Sequence, residues 1–260
     1  MSDSVALPIV PDWPAPACVR AAVTTRSIAG ASAAPFDTFN LGAHCGDDAA
    51  AVAANRSALS SLLALPAAPR WLRQVHGTGV AQFGAAATNA EPPEADAAVA
   101  HEPDTVLAVL TADCLPLLVC AEDGSEIAAI HAGWRGLAAG VIERGIESLH
   151  APREKLLVWL GPAIGADSYE VGAEVRDTFV AQSAHNAAAF TPTRPGHWHC
   201  DLYALARRRL AAFGVVRVYG GGFDTLADAR FYSYRREART GRFASLIWID
   251  GVAAGAPALR

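Results

Sequence analysis

The chain has 260 residues, with 26 acidic against 21 basic side chains and a formal net charge of −5. Hydrophobic residues make up 52%, ample for one large core or two small ones. No Lys/Arg-rich run occurs, and the basic residues around Arg235 are interrupted by Glu237, so the electrostatic footprint of a nucleic-acid binder is missing.

The first residues, "MSDSVALPIVPDWPAP", show no basic stretch followed by a long apolar one, so no secretory signal is expected. No uninterrupted apolar run reaches about 18 residues, so no membrane span is expected either. Residues 1–17 read as an N-terminal extension, and no linker divides the remainder of residues 1–260 into two domains. The cysteines Cys18, Cys45, Cys114, Cys120 and Cys200 are odd in number, irregularly spaced and form no CxxC. Reduced thiols in a cytoplasmic compartment are the expectation.

"CVRAAVTT" predicts an early strand. "DDAAAVAANRSALSSLLAL" predicts a helix with an Asp at its N-cap and Pro66 just past its end. "RWLRQVH" and "GVAQF" read as strands around Gly77 and Gly79, and "ATNAEPPEAD" as a loop. "TVLAVLTAD", "LPLLVC" and "IAAIHAG" are apolar runs of strand length, expected as adjacent strands buried on both faces. The last is followed by "WRGLAAGVIERGIESL", whose Val141, Ile142, Ile146 and Leu149 recur at helical spacing. "KLLVWLG" predicts a further buried strand and "GAEVRDTFV" a helix, while "NAAAFTPTRPGHWH" reads as an irregular loop kept so by Pro192 and Pro195. "DLYALARRRLAAFG" predicts a helix opened by Asp201 and closed by Gly214, and "VVRVYG" and "FASLIWID" are late strands. The class is α/β, a single domain with mixed β-sheet layers covered by helices.

Three residues stand out by position. His76, Cys114 and His131 each fall at the end of a predicted strand, where sites assemble in α/β sheets. Two imidazoles and a thiolate suit zinc, and three protein ligands leave a fourth position open, as in catalytic centres. Taken singly, each has a bland reading too: a small buried thiol, or a hydrogen-bonded imidazole.

The segments "RQVHGTGV", "ADCLPLLV", "HAGWRGLAAGVI", "GPAIGADSYEVGAEV" and "FYSYRREARTGRFASLIWI" occur in the order of one family, joined upstream by "TTR" and "FNLGAHCGDDAAAVAANR". From about Val23 to about Asp250 the chain resembles the laccase-domain or multicopper polyphenol oxidase family. That family is now described as purine nucleoside phosphorylases with adenosine deaminase and methylthioadenosine phosphorylase activity. Its fold is similar to that of the cytotoxic necrotizing factor-like cysteine hydrolases.

The resemblance implies that His76, Cys114 and His131 are catalytic and gather around a metal, zinc or alternatively copper. A purine nucleoside and phosphate would be the substrates, and the oligomeric state is open between monomer and weak homodimer. Gly133 and Gly136 would let backbone approach the site. Arg26 and Arg135 are candidate phosphate ligands, with Arg135 equally readable as a solvated surface residue. Trp134 is expected to pack rather than stack on substrate. Asn40 and His44 match "NLGxH", which leaves open whether they line the pocket or brace it. Asp96 matches an acidic position near the metal. Asp113 should point away from it by the strand's period of two. Tyr169 and Glu170 match "YEVG", with a structural role favoured.

Two departures stand out. Asp224 in "GGGFDT" and Ala163 in "GPAI" occupy positions where many relatives carry Cys, which removes ligands that a multicopper cluster would need. Asp224 is expected outside the metal's ligand set. Three other readings remain: a copper-dependent polyphenol oxidase, against which these departures weigh; a Cys114–His131 hydrolase acting on peptidoglycan precursors; and a non-enzymatic protein with a vestigial site.

Overall fold

The computed structural model describes residues 7–84 and 91–251. In chain order the regular elements are β1 (Val19–Val23), α1 (Ala49–Leu62), β2 (Val80–Phe83), β3 (Ala97–Ala100), β4 (Leu107–Thr111), β5 (Leu115–Ala121) and β6 (Ile127–Ala132). Then follow α2 (Trp134–Ala139), α3 (Val141–Glu147), β7 (Leu156–Leu160), β8 (Glu170–Gly172), α4 (Ala173–Gln182), β9 (Phe190–Pro192) and β10 (His197–Cys200). The chain closes with α5 (Leu202–Ala212), β11 (Arg217–Gly220) and β12 (Phe243–Ile249).

The central sheet is six-stranded and mixed, in the order β11-β7-β5-β6-β3-β2. Its β7-β5-β6-β3 centre is antiparallel, and each edge strand, β11 and β2, pairs parallel to its neighbour. A second, antiparallel sheet runs β1-β12-β4, and a small one runs β8-β10-β9.

Strand periodicity sorts the core into layers. Val99, Leu117, Val119, Ile130 and Val158 face α2, α3 and α5 through Leu137, Ile142, Ile146, Leu205 and Leu210. The alternate residues Ala98, Leu118, Ile127, Ala129 and Trp159 face Val23, Leu107, Val109, Phe243 and Ile247 of the three-stranded sheet. That sheet's far side, with Ala108, Leu246 and Trp248, packs on Leu59 of α1 and on Phe39 and Leu41. The result is a sandwich of two sheets with α2, α3 and α5 outside one and α1 outside the other, the expected layered α/β class.

Several local expectations are met. Asp48 caps α1 by accepting from Ala51 N (2.8 Å), and Asp201 caps α5 by accepting from Ala204 N (2.8 Å). Gly214 follows α5 at φ +89. Residues 7–17 do not trail away: Ile9 pairs with Val23, and Trp13 packs against the inter-sheet core. The beginnings of that segment and of the "ATNAEPPEAD" loop lie outside the described residues.

Four expectations need correction. "RWLRQVH" is not a strand; it makes only isolated bridges, Arg70 to Leu107 and Arg73 to Glu94. β4 is not beside β5 and β6 but in the other sheet, because Ala112–Cys114, with Asp113 at φ +90, turn the chain from one layer to the next. Both sheets are buried on both faces, so the apolar run alone carried no sign of which sheet it joins. "NAAAFTPTRPGHWH" contains β9 and β10, which pair across Pro192–Trp198 and Thr191–His199. Pro192 ends an edge strand, where its missing N–H costs no ladder bond. The helix after "HAG" is broken into α2 and α3 at Gly140, which sits at φ +99. "AAVA", too short and small to read as a strand, forms β3.

Candidate metal centre and its cavity

The site lies where β5 and β6 begin and end. His131 is the fifth residue of β6, and its alternation with Ile130 and Ala132 turns it toward the three-stranded sheet. Cys114 immediately precedes β5, while His76 belongs to a loop rather than a strand end. One ligating atom from each of the three lies within 4.8 Å of the others. Sγ of Cys114 is 3.7 Å from Nε2 of His76, and the His76 and His131 rings meet edge to face with centroids 4.9 Å apart.

Buried Asp96 organises this group. Its Oδ1 accepts from Nδ1 of His131 (2.8 Å) and from the backbone N–H of His76 (2.9 Å). Its Oδ2 accepts from Gly77 N (2.7 Å) and Val75 N (3.2 Å). One carboxylate therefore keeps a proton on Nδ1 of His131, turns Nε2 toward the other donors, and pins the His76 loop. It also holds His76 at φ +59, a conformation a non-glycine residue keeps only when its surroundings enforce it. Burial works against the charged form of Asp96, but the His131 hydrogen bond and the N–H groups of Gly77 and Val75 outweigh it and lower its pKa.

Desolvation would likewise raise the Cys114 thiol. Hydrogen bonding to His131 and His131's charge, then those of His76, reverse this and bring it down to about 6. His131, pushed down by burial, is lifted to about 9 by its hydrogen bonds to Asp96 and Cys114. At neutral pH the pair is thus a Cys114 thiolate beside a protonated His131; the thiolate is already in its ligating form, and a metal would take the place of the second His131 proton, so the donor chemistry fits zinc.

The glycines of "HAGWRG" are dictated by approach distance. A Cβ on Gly133 would stand 2.5 Å from Cδ2 of His76 and 3.1 Å from Sγ of Cys114. One on Gly136 would stand 2.9 Å from the carbonyl oxygen of Gly77.

These residues open on a cavity of about 490 Å³, within the range of small-molecule sites. His44, Trp134 and Arg135 line it, Arg135 stacked over the Trp134 ring at 4.4 Å. Asn40 does not; it braces. Its Oδ1 accepts from Gly42 N (2.9 Å) and Arg242 N (2.8 Å), and its Nδ2 donates to Asp47 (2.8 Å). Arg26 is also absent from the cavity wall: it pairs with Asp37 at 3.1 Å and lies over the Tyr232 ring. A Thr-Thr-Arg motif carries no information about where its guanidinium ends up.

Asp113 turns away from the donors, accepting from Thr225 Oγ1 (2.6 Å) and Arg235 N (2.7 Å). Asp224 is outside the donor group. It binds Gly165 N and Leu226 N (both 3.0 Å) and the Ser168 hydroxyl, and so secures the loop that carries Ile164 to the wall. Ala163 is buried in the same loop, its N–H donating to Tyr203. Tyr169 lines the cavity under Arg235, whereas Glu170 pairs outward with Arg194 (2.9 Å).

Arg235, Arg242 and Tyr234 are wall residues that motif position had not singled out. Their signal was the basic cluster "YRREARTGR", too short and too mixed for nucleic acid but well suited to the mouth of an anion site.

A two-sheet α/β sandwich with a His–His–Cys donor group at a cavity floor defines the class. Residues 20–250 match the family model described as multi-copper polyphenol oxidoreductase laccase, and the chain belongs to that family. A Pseudomonas aeruginosa protein named purine nucleoside phosphorylase is 55% identical over 244 residues, covering 93% of this chain and 98% of that one. An Escherichia coli protein of the same name is 47% identical over 245 residues, covering 93% and 98%. Among solved structures, a Neisseria meningitidis protein superposes with a TM-score of 0.89 at 44% identity, covering 95% of this chain and 100% of that one. YlmD from Geobacillus stearothermophilus gives a TM-score of 0.83 at 29% identity, covering 90% and 93%.

Proposed function

We propose that this chain is a zinc-dependent purine nucleoside phosphorylase that also deaminates adenosine. Adenosine, inosine, guanosine and methylthioadenosine are its proposed nucleosides. The observation that carries this reading is the convergence of His76, Cys114 and His131 at the floor of a nucleoside-sized cavity whose wall holds Arg135, Arg235 and Arg242. Relatives that match over nearly the whole chain bear the name purine nucleoside phosphorylase.

When bound, zinc supplies Lewis acidity that activates water or polarises a bound base. The chain's own residues do the rest. In phosphorolysis a phosphate oxygen bonds C1′ as the C1′–N9 bond breaks, and the departing purine takes up a proton. The arginines at the mouth bind and orient the phosphate dianion. In deamination water adds at C6 and ammonia leaves. Asp96 keeps the Nδ1 proton on His131, so that Nε2 faces the reacting space in one tautomer. Tyr169, under Arg235, provides an apolar face on which a base can lie. Five free cysteines fit a reducing, cytoplasmic setting, and among the described residues no helix is long and apolar enough to cross a membrane.

The test is product analysis with adenosine and phosphate, with metal content measured on the same sample. Ribose 1-phosphate, adenine and inosine are expected, lost on chelation and restored by zinc.

A second reading rests on one observation: Asp96, His131 and Cys114 also form an acid–imidazole–thiol series. As a hydrolase, Cys114 would attack an acyl carbon and His131 would protonate the leaving group. Turnover that survives exhaustive chelation but not alkylation of Cys114 selects this reading and rejects the zinc mechanism.

A further inference from the structure

The antiparallel β3–β6 ladder carries a carboxylate–imidazole pair at each end. Its register pairs Ala97 with Ile130 and Ala100 with Ile127. Continued one step at one end, it sets Asp96 opposite His131, the pair at the candidate centre. Continued one step at the other, it sets His101 opposite Glu126. The two ends are five residues apart on each strand, about 17 Å. An odd separation also puts them on opposite faces of the sheet: His131 faces the second sheet, and Glu126 faces the helical layer. There the turn after α3 brings His150 to the same carboxylate.

We propose that His101, Glu126 and His150 form a second, independent binding site for a divalent transition-metal ion. Nδ1 of His101 lies 3.0 Å from Oε2 of Glu126, and Nδ1 of His150 lies 3.4 Å from the same atom. Ligands about 2.0–2.2 Å from a tetrahedral ion are themselves about 3.3–3.6 Å apart; the two N···O separations lie close to this, and one ligating atom from each of the three residues lies within 4.8 Å of the others. The imidazole rings lie against one another, centroids 4.6 Å apart. Two imidazolium ions at that spacing would repel, whereas two neutral rings around one cation would not.

Glu126 is held for this role. It is buried, and backbone N–H groups fix its orientation: Ala151 N donates to Oε1 (2.5 Å) and His150 N to Oε2 (2.9 Å). Oε2 then faces both imidazoles with one lone pair left, too few to accept from two further N–H groups but suited to one cation that replaces both protons. Two histidines and a carboxylate with open positions is a donor set for zinc, nickel, cobalt or iron rather than for calcium or magnesium. A cavity of about 680 Å³ lies over the group, lined also by Asp123 and Lys155, and leaves the remaining positions to water or a small ligand.

This site does not depend on the reading of the first, and one experiment separates them. Metal-stripped protein is titrated with Co²⁺, following total binding and the sulfur-to-cobalt charge-transfer band, which is assigned to Cys114 by its absence in Cys114→Ser and which a site of two histidines and a glutamate does not give. Wild type is expected to take up a second equivalent without added sulfur absorption. His150→Ala, a change at an exposed side chain, should weaken that second equivalent more than tenfold while leaving the sulfur band intact, and His101→Ala should do the same. A wild-type protein that binds no Co²⁺ beyond the sulfur-ligated ion overturns the proposal. So does a second equivalent that binds equally tightly in both variants. Loss of the sulfur band in wild type would instead count against the first centre.

Discussion

Asp96 and His131 face each other across the β3–β6 ladder, carboxylate to Nδ1 at 2.8 Å, and the same carboxylate holds the backbone of His76. Two of the three proposed metal ligands are thus positioned by one buried acid. Asp96→Asn places an amide N–H₂ where the acid accepts from backbone N–H groups. Zinc affinity is expected to fall about 10–100-fold, measured by chelator competition. Asp96 also titrates below its ordinary value, so it contributes stability that is present above about pH 4 and lost as pH falls through the folded-state pKa. The acid limb of the metal-free protein's stability curve should be flatter in the variant; an unchanged limb would show that the carboxylate is not charged in the fold.

Cys114 should be a thiolate in the metal-free protein well below the ordinary thiol range. Its rate of alkylation by iodoacetamide should rise through a midpoint near 6 rather than in the ordinary thiol range, because His131 and His76 favour the anion. Zinc should protect it. Cys114→Ser should keep the fold and lose zinc, with phosphorolysis and deamination falling together. Separate loss of one activity would mean that the two do not share a metal.

Gly133→Ala tests the close approach. The new methyl meets His76 at 2.5 Å and must displace it. A destabilisation of about 1–3 kcal/mol is expected together with loss of zinc binding. Thermal melts with and without zinc are the measurement: wild type should gain Tm from the metal, and the variant should not.

Asp224→Ala should separate structure from metal binding. Removing the carboxylate leaves Gly165 N and Leu226 N without an acceptor, at a cost of about 1–3 kcal/mol. Metal content should be unchanged, because Asp224 is not among the donors. Metal loss in a variant that stays folded would assign Asp224 a role the geometry denies it.

The cavity arginines make the last test. Arg135→Gln or Arg242→Gln is expected to raise the KM for phosphate at least tenfold with a smaller effect on the KM for nucleoside. Arg26→Gln, which breaks an ion pair outside the cavity wall, should not. The opposite ranking would move the phosphate site.

The sequence by itself was enough to single out His76, Cys114 and His131, which the fold brings within 4.8 Å of one another, because they sit in segments whose rare residues keep a recognisable order. It was also enough for α1, α5 and the buried strands, because caps and hydrophobic period are local properties. Tertiary structure alone decided the rest. β4 reads like β5 and β6 but belongs to the other sheet, since a strand buried on both faces bears no mark of its neighbour. Arg26, in a recognisable motif, is an expected anion ligand, and Arg242 is not singled out. One is drawn off by Asp37, while the other is fixed at the cavity by the side chain of Asn40, whose partner Arg242 is 202 residues away in the chain. His101, Glu126 and His150 match no short motif, and only the register of β3 on β6 brings them to one point. Contacts between residues so far apart in sequence depend on how the layers stack, and that is a property of the whole core rather than of any segment.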